Sequence, residues 1–269
     1  PEVIARNEVR LGYDQPIHVQ FGIYAANLLR GDLGTSIFSN LPVLTLVKQR
    51  LEPTLVLAAS TLVMAVLLAI PMGVLAAWKA RTFIDRLVMG FSVLGFAVPG
   101  FLVGYLLIYV FAIELKWLPV QGYRPLSQGI DQTARSIILP ALALSMAYMA
   151  LIARMTRASM LDVLSQDYIR TAKAKGVATL IVLLRHALKN AAVPIVTVIG
   201  IGLTLLISGV VITETVFNIP GLGRLTVDAI LKRDYPIIQG LIILFAGAKV
   251  LVNLLIDISY VFFDPRIRY

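Results

Sequence analysis

Arg154-Met-Thr-Arg-Ala-Ser-Met-Leu-Asp-Val-Leu-Ser-Gln-Asp-Tyr-Ile-Arg-Thr-Ala-Lys-Ala-Lys-Gly176 decides how this chain is read. It lies between two apolar runs and holds the densest positive charge in the sequence. From Met160 onward, Leu161, Leu164, Tyr168 and Ala172 recur at the spacing of an amphipathic helix. Asp162, Gln166, Arg170 and Lys173 fall largely on other faces, and Asp167 and Thr171 add polar groups. Small residues at Ala172 and Ala174 allow another surface to come close. Lys173 and Lys175 occupy the last turn, where cations suit the helix dipole, and Gly176 supplies a left-handed cap. A second polar helix is expected over 177–190. Such a helix either lies flat on lipid or inserts into a groove of a partner protein.

Working outward, the flanking runs place the chain in a membrane. Of 269 residues, 58% are hydrophobic and 14% charged, against about 25% charged in ordinary soluble domains, and the mean hydropathy is +0.85. About 20 apolar residues cross a bilayer, and five segments qualify: 55–77, 87–113, 137–153, 194–213 and 237–263. The fold class is therefore all-α, a polytopic transmembrane helix bundle. Pro71, Pro99, Gly95, Gly100 and Gly104 are tolerated inside such spans, and small residues let the helices pack closely.

The net charge of +9 is a topology signal. Loops 78–86, 154–193 and 264–269 carry Lys79, Arg81, Arg86, Arg154, Arg157, Arg170, Lys173, Lys175, Arg185, Lys189, Arg266 and Arg268 against Asp85, Asp162, Asp167 and Asp264. The other loops nearly balance. Cation-rich loops face the cytoplasm. Nucleic acid is excluded as a partner because these cations are spread over span ends. The reading divides the chain into an external segment, 1–54, and a transmembrane domain, 55–269, with a cytoplasmic loop at about 154–193. Five spans with the C-terminus inside place Pro1 outside, so a further span is expected before it.

Outside, Gly31-Asp32-Leu33-Gly34 reads as a tight turn, residues 20–29 as a short helix on the membrane surface, Pro220-Gly221 as a turn and 222–230 as another short helix. These loops either cap the bundle or gate a path and meet an external partner. In the last span Lys249 is costly by about 2.5–3.5 kcal/mol. It begins a polar stripe, Lys249, Asn253 and Asp257, which either packs inside the bundle or borders a pathway.

Catalytic chemistry is missing. No glycine precedes a lysine, so there is no phosphate-cradling loop. His18 and His186 fall on opposite sides, and no cysteine is present. No catalytic or metal residues are assigned. The remaining classes are a subunit driven by a docked engine, a secondary transporter or channel acting alone, and a non-transporting scaffold. No internal repeat relates 55–113 to 194–263, as secondary transporters tend to show.

The stretch Asp167-Tyr-Ile-Arg-Thr-Ala-Lys-Ala-Lys-Gly176, followed by His186-Ala-Leu-Lys-Asn190 and Pro194, resembles the cytoplasmic loop of permease subunits of ATP-binding-cassette importers of the dipeptide, oligopeptide and nickel class. Arg170-Thr171-Ala172 stands where the general loop has Glu-Ala-Ala, and Gly176 matches. Leu188-Lys189 replaces the general Leu-Pro. The resemblance extends to Leu11-Gly-Tyr-Asp-Gln-Pro16, Gly31-Asp-Leu-Gly34, Ser36 and Pro42-Val43. It continues through Glu214, Phe217, Pro220-Gly-Leu-Gly223, Arg233-Asp-Tyr-Pro236, Gln239-Gly240, Asn253-Leu-Leu-Ile-Asp257 and Asp264-Pro-Arg-Ile-Arg268.

That resemblance implies a multi-pass protein of a bacterial or archaeal inner membrane, paired with a second homologous permease. Two cytoplasmic ATP-binding subunits would supply ATP and Mg chemistry, this chain holding no cofactor. An external solute-binding protein would deliver peptides or similar solutes. Leu161, Leu164, Asp167, Tyr168, Arg170, Thr171, Ala172, Lys173, Ala174, Lys175 and Gly176 are the expected ATPase-coupling residues. Gly31, Asp32, Gly34, Phe217, Pro220, Gly221, Gly223, Asp234 and Tyr235 are the expected external gate or binding-protein contacts. Lys249, Asn253 and Asp257 are the pathway candidates.

Overall fold

The computed structural model describes residues 15–263, with side chains throughout except at 207, 208 and 259–263. Leu11 to Asp14 of the first signature, and Asp264 to Arg268 of the last with Arg266 and Arg268, lie outside the described residues. In chain order the helices are α1 (Ile17–Leu29), α2 (Val43–Trp78), α3 (Phe83–Ala97), α4 (Gly100–Leu107), α5 (Ile130–Leu164), α6 (Asp167–Ala174), α7 (Thr179–Ile181), α8 (Ala192–Val216), α9 (Leu222–Lys232) and α10 (Tyr235–Phe263). Wider π-type turns extend α4 over Ile108–Glu114 and α7 over Val182–Leu188.

Among the described residues, α2, α5 and α10 are each long and apolar enough to cross a membrane. The count reaches five if α3 with α4, and α7 with α8, are each one bent span. All five apolar runs of the sequence are thus found, but the second is not a straight rod. It turns by 105° between α3 and α4. Pro99 lacks an N–H and forces the residue before it out of the helical region; Val98 accordingly has φ −89° and ψ 123°. Pro53, Pro71 and Pro140 remain inside helices. The third run, expected over 137–153, is the middle of a helix of 35 residues.

Helices α2 and α5 run side by side in the same direction and form the centre. Gly73 of α2 lies so close to α5 that an added Cβ would sit 2.5 Å from Cβ of Thr156. Gly95 of α3 meets Ala150 and Met146 of α5, Gly209 of α8 meets Leu144, and Gly200 of α8 meets Ile256 of α10. Small residues at each crossing let the backbones approach, which is how helices pack where lipid removes the hydrophobic drive. The buried core runs through Leu57, Ala65, Ala69, Met149 and Ile152. Outward residues such as Leu67, Val93, Ile242 and Val250 are apolar and exposed, as a lipid-facing surface requires.

Candidate functional site

The two ends of the bundle carry the residues singled out by sequence. At the end where α5 stops, Ser165 Oγ donates to the carbonyl of Asp162 at 2.7 Å. Gln166 then takes an extended ψ of 150°. The chain turns there, and α6 is a separate helix of eight residues. The amphipathic helix expected from Met160 is therefore two pieces, with Leu161 and Leu164 on the last turn of α5. The break changes which face is inside. Ile169 is fully buried against Met160, Val182, Leu183 and Ala187, with Ala172 and Val177 packed partly against the same cluster. Tyr168 is 44% exposed. Asp167, Arg170, Thr171, Lys173, Ala174, Lys175 and Gly176 also face outward.

The end of α6 follows the glycine-capped pattern. Gly176 has φ +76°. Its N–H donates to Lys173 O at 3.0 Å, and Val177 N–H donates to Ala172 O at 3.2 Å. Asp167 in the first turn and Lys173 in the last complement the helix dipole. The Arg170–Asp167 pair, at 3.2 Å with both side chains largely in solvent, adds little. The polar helix expected over 177–190 is found as α7 with its π-type extension, bent by 65° into α8.

One strong pair at this end escaped sequence reading. Arg157 of α5 donates through Nε to Asp85 Oδ1 at 2.5 Å and through Nη2 to Oδ2 at 2.7 Å. Asp85 is buried and also accepts from the Arg81 N–H at 2.9 Å. This fork joins the first turn of α3 to the helix that leads into α6.

At the opposite end the N-terminal segment is stapled to the loop before α10. Ser36 Oγ donates to Asp234 Oδ2 at 2.6 Å, both residues being buried. Gly31 has φ +79° at the cap of α1, and Gly34 N–H donates to Asp32 Oδ1 at 2.8 Å. Glu214 is fully buried at the end of α8. It accepts from Thr54 Oγ1 at 2.6 Å and from Arg224 N–H at 2.9 Å, while Leu222 N–H donates to Thr54 Oγ1 at 2.8 Å. A Cβ on Gly221 would run into the Glu214 carboxylate, and one on Gly223 would lie 2.6 Å from Val211 Cα. Phe217 is buried beside Gly104, and its carbonyl accepts from Gly122 N–H at 2.9 Å. Phe217, Gly221, Gly223 and Asp234 thus hold this layer together. Gly31, Asp32, Pro220 and Tyr235 face outward, and Gly34 lies half-buried near Pro236.

On α10, Lys249, Asn253 and Asp257 are all exposed in the single chain. Asn253 Oδ1 accepts from Thr204 Oγ1 of α8 at 3.1 Å. Lys249 makes no side-chain hydrogen bond or ion pair among the described residues. The described residues contain no group of three His, Cys, Asp or Glu able to hold a metal.

Comparison with known proteins fits this architecture. The family model described as binding-protein-dependent transport system inner membrane component matches residues 69–269. A probable peptide ABC transporter permease, y4tP of Sinorhizobium fredii (strain NBRC 101917 / NGR234), is 53% identical over 268 residues, covering 100% of this chain and 86% of that protein. The glutathione transport system permease GsiC of Escherichia coli (strain K12) is 44% identical over 269 residues, covering 100% and 85%. An inward-facing MetNI methionine ABC transporter structure shares the fold, with a TM-score of 0.68 at 16% identity over 82% of this chain and 97% of that one. An amino acid ABC transporter solved with histidines has a TM-score of 0.53 at 18% identity, covering 83% and 94%. The chain belongs to the family of inner-membrane components of binding-protein-dependent transport systems, the multi-pass permeases of ABC importers.

Proposed function

We propose that this chain forms half of the translocation pathway of an ATP-driven importer for peptides or glutathione-like solutes, and that α6 transmits the motion of an ATPase to the bundle. The observation that carries the coupling role is the build of α6. A short, capped helix stands at one end of the bundle, held by the single fully buried side chain of Ile169, with Tyr168, Thr171 and Lys175 exposed on its outer side. Such a helix has the size to enter a groove on a cytoplasmic partner. The solute class rests on the relatives, a probable peptide ABC transporter permease and a glutathione transport system permease. The assembly in this reading contains a second homologous permease, two ATP-binding subunits that hold ATP and Mg, and an external solute-binding protein.

The test uses Tyr168→Ala and Thr171→Trp, on the outer side of α6, because Ala172 is partly engaged with the bundle. Both variants should insert and keep the wild-type melting temperature. Either should release the ATPase subunits on purification or leave ATP hydrolysis running without uptake. Unchanged co-purification and unchanged uptake in both variants would refute the coupling role.

A further inference from the structure

A cleft of about 680 Å³ opens at the end of the bundle away from α6, between the segment after α4 and the first turns of α5. Its walls include Lys116, Arg124 and Arg135, with Trp117, Tyr123 and Gln132 between them. None of the three cations has an ion pair or side-chain hydrogen bond among the described residues. No acid among the described residues is ion-paired with them. Glu52 is occupied by Tyr123 OH at 2.9 Å and Leu126 N–H at 2.8 Å, and neither Glu114 nor Asp131 lines the cleft.

Parts of the wall are held by contacts with the bundle. Arg124 N–H donates to Ser136 Oγ at 3.2 Å, and that hydroxyl donates to Thr133 O at 2.8 Å. The Trp117 ring lies 5.9 Å from Phe111. Burial, and then the bond to Glu52, push the Tyr123 phenol above its ordinary pKa, so it remains a neutral donor. Three unpaired cations in a recess of this size match a small ligand better than a broad surface. Ligand pockets commonly span about 300–1,000 Å³, and Arg forks suit carboxylates.

We propose that this cleft recognises the carboxylate of a peptide-sized anionic solute at the external end of the permease. Arg124, Arg135 and Lys116 meet the carboxylate, Gln132 an amide group, and Trp117 and Tyr123 the apolar flank. The choice of a peptide-sized solute rests on the importer reading above, so the test reads binding without ATP or transport.

The assembled transporter in lipid nanodiscs is titrated with glutathione, a net-anionic tripeptide derivative, without nucleotide. The signal is the fluorescence of Trp117, taken as the difference from a Trp117→Phe complex. The second variant is Lys116→Gln/Arg124→Gln/Arg135→Gln, whose positions are exposed and unpaired and should not disturb folding. Saturable quenching by glutathione is expected, weakened roughly tenfold or more in the triple variant and by added salt. An equivalent tripeptide amide without carboxylates should bind equally to both. No saturable change, or equal affinity in the triple variant, overturns the proposal. A change produced only by adding the solute-binding protein without solute also overturns it, and assigns the cleft to protein docking. ATP-driven uptake by the wild-type complex, measured separately, tests the importer reading.

Discussion

At Glu214, a carboxylate with no exposure is held by the hydroxyl of Thr54 and the N–H of Arg224. Buried polar groups persist when their hydrogen bonds are complete. Thr54 serves twice, donating to Glu214 and accepting from Leu222 N–H. Thr54→Val keeps the shape and removes both bonds, which should cost about 1–3 kcal/mol, read as a lower melting temperature in detergent. An unchanged melting temperature would mean water replaces the hydroxyl. Asp85 presents the same logic with charge. Arg157→Ala strands a buried carboxylate whose partner is partly exposed, and should cost about 2 kcal/mol once solvent access is discounted. Arg157→Lys should recover only part of that, because an ammonium cannot reproduce the fork. Equal stability of Arg157→Ala and wild type would show that the pair contributes nothing net. In the sequence Asp85 is only one anion in a cation-rich loop. Its partner lies 72 positions away, and no local pattern announces a contact at that distance.

Among the elements, α6 shows what periodicity can and cannot deliver. The glycine cap and the charge order of the stretch were legible, because each depends on neighbours within one turn. The inward face was not. Reading 160–176 as one helix places Tyr168 on the apolar stripe, whereas the break at Ser165 and Gln166 resets the phase and puts Ile169 inside. A polar pair, Ser165-Gln166, with Asp167 directly after it, is a local signal for a stop and restart. The bend at Val98-Pro99 was equally available from the residue-before-proline rule, but Pro71 and Pro140 show that proline alone does not decide it. Since Ile169 is the fully buried side chain of α6 and Ala172 is packed only in part, Ile169→Ala should free that helix before it affects the rest. The expected result is faster amide exchange across 167–177, by at least about tenfold given a local loss of roughly 2 kcal/mol or more, with α2 and α5 unchanged. Exchange that rises uniformly across the protein would show that α6 is part of one cooperative core instead.

For the whole molecule, the five apolar runs and the all-α bundle followed from composition, because a bilayer admits few backbone solutions. The layer joining residues 31–42 to 214–236 did not, since Ser36–Asp234 and Thr54–Glu214 each close separations of more than 150 positions. Helices α2 and α5 run in the same direction, with Glu52, Tyr123 and the 31–42 segment at one end and Asp85, Arg157 and α6 at the other. The 36 residues of α2 extend about 54 Å, more than a bilayer of roughly 30 Å requires, so the helix is long enough to place its two ends in different compartments. The cation-rich end is expected in the cytoplasm. The chain has no native cysteine, so Ser39→Cys and Ser165→Cys, both at exposed positions, each provide a single reporter. In intact spheroplasts an impermeant maleimide should label the Ser39→Cys protein and spare the Ser165→Cys protein, and permeabilisation should expose the second. Labelling of Ser165→Cys from outside, with Ser39→Cys protected, would invert the orientation and place α6 beyond reach of any cytoplasmic ATPase.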